Sequence, residues 1–149
     1  MTTIKAKETV CFHIKSAWHH ISKIYNEQGA PYGSTAATGF VLLNIDVKDG
    51  SPVTSIGPAL GMEPGSLSRI LKNLEKEGLI QRIQDDVDKR LVRVFLTDKG
   101  KVLRDVAKET VTVFNQKVRE EIPEEKLAVF FEVMEKIHNV IHKKNIYNN

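Results

Sequence analysis

The sequence holds a single cysteine, Cys11, among its 149 residues. An intrachain disulfide is therefore impossible, and a reducing compartment suits the chain. No apolar run approaches the ~20 residues needed to span a bilayer. The first eight residues lack the apolar centre of a secretory leader. The expected location is the cytoplasm, with no membrane partner. Phosphate loop, nucleophile elbow and zinc signature are all missing, which leaves little ground for an enzyme. Asp85, Asp86 and Asp88 cluster, but beside Lys89 and Arg90 in a turn, a poor place to exclude water. His138 and His142 have the i, i+4 spacing of a helical metal pair, but the sequence offers no third ligand of suitable type. Neither a metal nor a cofactor is expected. Internal repeats and low-complexity stretches are absent too.

What remains is ordinary globular composition, 41% apolar and 28% charged, and a length that suits one domain. The net charge of +3 permits a nucleic-acid partner without requiring one. The positions of the cations matter more.

From about Ala6 to Glu27, Val10, Ile14, Trp18, Ile21 and Tyr25 recur at helical spacing. Gly29, Pro31 and Gly33 end that helix. A second helix is expected from a Ser34 or Thr35 cap, apolar nearly all round and hence central. Residues 49–52 read as a turn. A short helix over about 53–60 should turn Ile56, Ala59 and Leu60 inward. Pro58 predicts that it starts late, because proline inside a helix costs about 3 kcal/mol. Gly61, Met62 and Glu63 form a tight turn, and Pro64 suits the first position of the next helix. Helix, glycine-containing turn and helix make a helix-turn-helix.

The helix from Pro64 to Glu77 has two faces. Leu67, Ile70, Leu71 and Leu74 form an apolar stripe, while Ser66, Arg69, Lys72, Asn73 and Lys76 lie opposite. Gly78 stops it in the left-handed conformation. Strands are expected at Ile80–Gln84 and Leu91–Leu96, joined by a charged tip. Thr97 caps a long helix to about Glu121, and Pro123-Glu124-Glu125 opens a last one carrying Leu127, Phe130, Phe131, Met134, Ile137 and Ile141. These outer helices exceed what a small reading module needs for its own core, which points to a two-fold dimer.

Duplex DNA is the partner this arrangement fits. Ser66, Ser68 and Arg69 occupy the helix tip that enters a major groove, where arginine grips guanine with about 1–3 kcal/mol of discrimination. Lys72, Asn73 and Lys76 lie further along, where they meet backbone phosphates. Lys89 and Arg90 close the hairpin tip, and Arg90 suits a narrow minor groove. Asp88, two residues earlier, is expected to hold that guanidinium in position. A basic helix face is by itself usually a solvated face. The ordered combination is what points to DNA, with a protein-binding winged helix as the rival.

The segments Ala59-Leu60-Gly61-Met62, Ser66 to Leu71, Leu74 to Arg82, Asp88-Lys89-Arg90 and Leu96-Thr97-Asp98-Lys99-Gly100 resemble the MarR family of bacterial transcription regulators. In order and length the resemblance covers nearly the whole chain, with recognisable motifs between about residues 53 and 100. It implies a mainly α fold with a small two- to three-stranded β wing. Residues of about 35–100 would form a winged helix-turn-helix lobe, and about 6–28 and 98–144 dimerisation helices, within one domain spanning 1–149. It further implies a homodimer reading a pseudo-palindrome, a repressor released by a small ligand, commonly phenolic or aromatic, or by oxidation. Pro58 departs from the family pattern, which usually has a polar residue there.

Two sensor candidates lie outside the recognition helix and its hairpin. Cys11 and Tyr25 resemble the hydroperoxide-sensing branch of the family, although Lys15 stands where its second tyrosine is expected. The alternative is that Cys11 is a small core residue. Trp18, His19, His20, Tyr25, Tyr32 and Phe40 could line a ligand pocket, or be core and surface.

Overall fold

Thr9 sets where the first long helix begins. Its backbone is extended, and its hydroxyl accepts the Phe12 N–H at 3.4 Å. The expected helix from Ala6 is thereby split into a 3-10 turn at Ala6–Glu8 and α1, Val10–Gly29. The structure, a computed structural model, describes residues 4–143 and 146–147. These fall into two compact units that divide between Val111 and Thr112.

In the first unit, α2 (Ala36–Leu43) starts at the Thr35 cap, whose hydroxyl accepts the Thr38 N–H at 3.2 Å. Asn26 of α1 accepts the Ala36 N–H at 2.7 Å, so a second free donor of that helix end is met. As expected α2 is central: Val41 and Leu42 are fully buried. They meet Ile45, Ile56, Leu67, Leu71, Leu74, Leu79, Ile80 and Val94 in one core.

Three expectations fail between residues 49 and 60. Ser51–Pro52 is a short strand, β1, rather than part of a turn. Ser51 earns that place because its hydroxyl accepts the Asp46 N–H at 2.9 Å and donates to the Asn44 carbonyl at 3.3 Å. Pro52, which lacks a donor, is tolerated because β1 is an edge strand. The following helix, α3, runs Val53–Leu60 with Pro58 inside it, so it does not start late. Gly57 precedes the proline and has no Cβ to clash with its ring, which removes part of the usual penalty. The carbonyl that loses its partner belongs to exposed Thr54, where water can replace the bond. Ala59, expected inward, is also exposed.

The turn into α4 (Pro64–Lys76) is made by Gly61 at φ +62, with the Met62 N–H bonded to the Gly57 carbonyl at 3.0 Å. The same stop recurs after α4. Gly78 takes φ +73, and Leu79 and Gly78 donate to the carbonyls of Leu74 and Glu75 at 2.9 and 3.0 Å. This is the Schellman closure that glycine accommodates without strain. Strands β2 (Ile80–Gln84) and β3 (Val92–Leu96) then pair antiparallel, Ile80 opposite Leu96, and the sheet order is β1-β3-β2.

Thr97 caps α5 (Asp98–Glu121) as expected, accepting the Gly100 N–H at 3.0 Å while donating to the Gly78 carbonyl at 2.7 Å. A Cβ on Gly100 would lie 1.9 Å from the Leu79 carbonyl oxygen. The Leu-Thr-x-x-Gly motif is therefore a packing requirement that seats α5 on the β2 entry.

The second unit holds the end of α5 and α6 (Glu124–His142), with an Arg119–Glu124 ion pair at 2.6 Å across the turn. Of the apolar residues that α6 carries, Leu127 is buried, whereas Phe130, Phe131 and Ile141 are more than half exposed. Among the described residues no helix is long and apolar enough to cross a membrane.

Candidate nucleic-acid interface

Helix α4 presents its faces as the periodicity predicts. Leu67, Leu71 and Leu74 are buried, Ile70 and Ser66 half-buried, and Ser68, Arg69, Lys72, Asn73 and Lys76 exposed. Glu63 at the N-cap makes no side-chain cap bond, so the first-turn N–H groups stay available to an acceptor. No carboxylate among the described residues pairs with Arg69, Lys72 or Lys76. Their charge is uncommitted. Sequence reading missed what fixes this helix at its far end. The Arg82 guanidinium on β2 donates Nε and Nη2 to the two Glu75 oxygens, each at 3.2 Å, and holds the Glu75 carboxyl below its ordinary range.

The hairpin tip is equally specific. Asp88 Oδ1 accepts both the backbone N–H and the Nε–H of Arg90 at 3.1 Å, and Oδ2 accepts Nη2 at 3.3 Å. The Arg90 side chain is nonetheless 91% exposed. The arginine is thus held yet presented, and its guanidinium lowers the Asp88 carboxyl pKa below the usual range. Lys89 is exposed beside it, its carbonyl taken by the Gln84 side-chain amide. Asp85 accepts the N–H groups of Val87 and Asp88 at 2.9 and 3.0 Å, which lowers its pKa too. Asp85 and Asp88 are thus spent on the shape of the tip and on arginines. Among the described residues no group of three metal-binding side chains occurs, and His138 and His142 only stack, centroids 6.3 Å apart.

The sensor candidates separate. Tyr25 is buried and Phe40 half-buried, their rings 6.0 Å apart, and both line a cavity of about 30 Å³ with Gly39, Leu103, Val106 and Ala107. That volume suits one water molecule rather than an aromatic ring. Burial pushes the Tyr25 phenol pKa up. Trp18 lies 5.6 Å from Phe40 but is 46% exposed and, like His19, does not line the cavity. His20 bonds the Ser16 carbonyl at 2.8 Å, and Tyr32 is exposed. Cys11 is exposed, so the chain's own core does not take it up.

A helix-turn-helix followed by a two-armed hairpin, with a cationic second helix and a presented arginine, defines a winged helix-turn-helix. The MarR family profile matches residues 35–92. The regulator TtmR of Methylorubrum extorquens is 36% identical over 95 residues, 64% of this chain and 49% of that one. The regulator MgrA of Staphylococcus aureus is 31% identical over 100 residues, 66% of this chain and 67% of that one. The chain thus spans about half the length of the first relative and two thirds of the second. The fold also matches S. aureus MepR in its DNA complex, with TM-score 0.79 and 22% identity over 88% of this chain and 97% of that one. The protein belongs to the MarR family of transcription regulators.

Proposed function

We propose that the protein is a homodimeric, sequence-specific reader of duplex DNA that acts as a repressor in the cytoplasm and has no enzymatic activity. The observation that carries this reading is Arg90, locked by Asp88 at both backbone and guanidinium yet almost fully exposed, on the same lobe as the uncommitted cations of α4. Ser66, Ser68 and Arg69 read base edges, while Lys72, Asn73, Lys76 and Lys89 position the chain on phosphates. The residues of about 35–100 form the reading lobe and the flanking helices the dimer. Exposed Phe130, Phe131 and Ile141 on α6, and exposed Phe12 and Trp18 on α1, are apolar surface of the kind a second copy covers.

Release by a small aromatic ligand at Tyr25 and Phe40 requires their cavity to open well beyond its present 30 Å³. A thiol switch at Cys11 is the second reading, favoured by its exposure. Peroxide that leaves DNA affinity unchanged removes the thiol reading.

Selection from a pool of random duplexes tests the main proposal. The expected product is a pseudo-palindrome whose half-sites lie about one helical turn apart. A pool that shows no enrichment at low salt contradicts it and favours a protein partner for the lobe.

A further inference from the structure

Arg93 on β3 reaches back across the sheet. Its Nη2 donates to the carbonyls of Asp49 and Gly50 at 3.2 and 3.3 Å, and its Nε to Asp49 at 3.4 Å. Gly50 takes φ +66, and a Cβ there would lie 2.6 Å from the Val94 carbonyl and 2.8 Å from the Phe95 ring. Only glycine lets this loop press so closely on β3. On its other side, Arg93 Nη1 lies 3.9 Å from Asp85 Oδ2. Asp85 folds the tip through its bonds to the Val87 and Asp88 N–H groups, and Asp88 in turn holds Arg90. The tip is closed by Leu91, which accepts from Asp85 and donates to Asp88, both at 2.9 Å. A continuous series of polar contacts therefore joins the 49–50 loop to the presented arginine.

The exposures separate two roles along that series. The side chains of Asp85 and Arg93 are 18% and 29% exposed, against 91% for Arg90. We propose that Asp85 and Arg93 are positioning residues for the wing, fixing the pose in which Arg90 meets DNA without touching DNA themselves. This rests on the reading of duplex DNA as the partner. A tip ordered before binding spares the complex the entropy of ordering it then.

Charge supplies a sign that separates this role from simple electrostatics. Residues 85–90 carry three carboxylates and two cations. Removing a carboxylate beside a polyanion should tighten binding on Coulomb grounds alone. Positioning predicts the reverse.

The test uses the full chain and a duplex enriched from a random pool by the wild type, with dissociation constants measured by fluorescence anisotropy at fixed salt. Asp85→Ala should weaken binding about tenfold, through loss of two bonds to a charged acceptor. Asp85→Asn keeps an acceptor for both N–H groups and should lose only about two- to threefold. In an Arg90→Ala background Asp85→Ala should add less than about twofold, since its effect runs through Arg90. Equal or tighter binding by Asp85→Ala overturns the proposal, as does an equal loss in both backgrounds. Should Asp85→Ala not fold, Arg93→Gln with and without Arg90→Ala completes the same cycle. A wild type that binds no duplex overturns the DNA reading and this inference together, whereas binding without the predicted coupling overturns this inference alone.

Discussion

Asp88 accepts three hydrogen bonds from one residue, Arg90: the backbone N–H and Nε–H at 3.1 Å and Nη2–H at 3.3 Å. A carboxylate near a DNA-facing arginine looks opposed to binding. This geometry resolves the conflict, because the guanidinium is aimed rather than neutralised and stays exposed. Asp88→Ala should therefore weaken duplex binding although it removes a negative charge. Tighter binding in a titration at constant salt would count against the arginine being held for DNA.

Arg69 and Arg90 should fail differently. Arg69→Ala should relax preference at one position in each half-site, where a two-pronged arginine–guanine contact is worth about 1–3 kcal/mol. Arg90→Ala should weaken binding across most sequences and reduce any preference for narrow minor grooves. Competition against single-position variants of the selected duplex distinguishes them. Equal shifts on selected and random DNA for both variants contradict the division.

The packing of α5 predicts a stability effect. Gly100→Ala places a Cβ on the Leu79 carbonyl, and such overpacking costs about 1–3 kcal/mol or more, several degrees in Tm. Gly65 has open space at the same point, so Gly65→Ala should leave Tm unchanged or raised. Thermal unfolding with the two variants ranked in reverse would refute this packing explanation.

The wing carboxylates fix a pH dependence. Asp85 and Asp88 are held below their ordinary range, first by hydrogen bonds from the Asp88 N–H and from Arg90 respectively. Folded pKa values below the unfolded ones add stability that is complete above the unfolded pKa of about 3.9. It is lost as pH falls through the lower folded values. Carboxyl NMR titration should give midpoints for both residues below that reference, and midpoints at or above it would contradict the hydrogen-bonded tip.

Much of the reading lobe was legible because its determinants are local. The 3.6-residue stripe of α4, Gly78, the Thr97 cap and the Asp88–Arg90 pair each lie within a few residues of what they act on. Contacts between distant segments were not legible. Arg93 meets a carbonyl 44 residues away, and Glu75 meets Arg82 across a strand boundary. Nothing in their local spacing marks either pair. The stripe at Val10, Ile14 and Trp18 shows a further limit. Periodicity reports an apolar face, but these residues are 58%, 40% and 46% exposed within the chain, so it does not report what covers them. Pro58 misled for a related reason, since the penalty assigned to it ignored the glycine before it and the exposed carbonyl of Thr54.

The most direct measurement is the salt dependence of duplex affinity. With Arg69, Lys72, Lys76, Lys89 and Arg90 uncommitted to other carboxylates or held outward, log K should fall steeply with log salt, by about 0.9 for each phosphate contacted. Lys72→Ala should flatten that slope by about 2 in a dimer, one contact per lobe. A flat dependence, with affinity at low salt no better than background, would contradict the placement of DNA on this lobe.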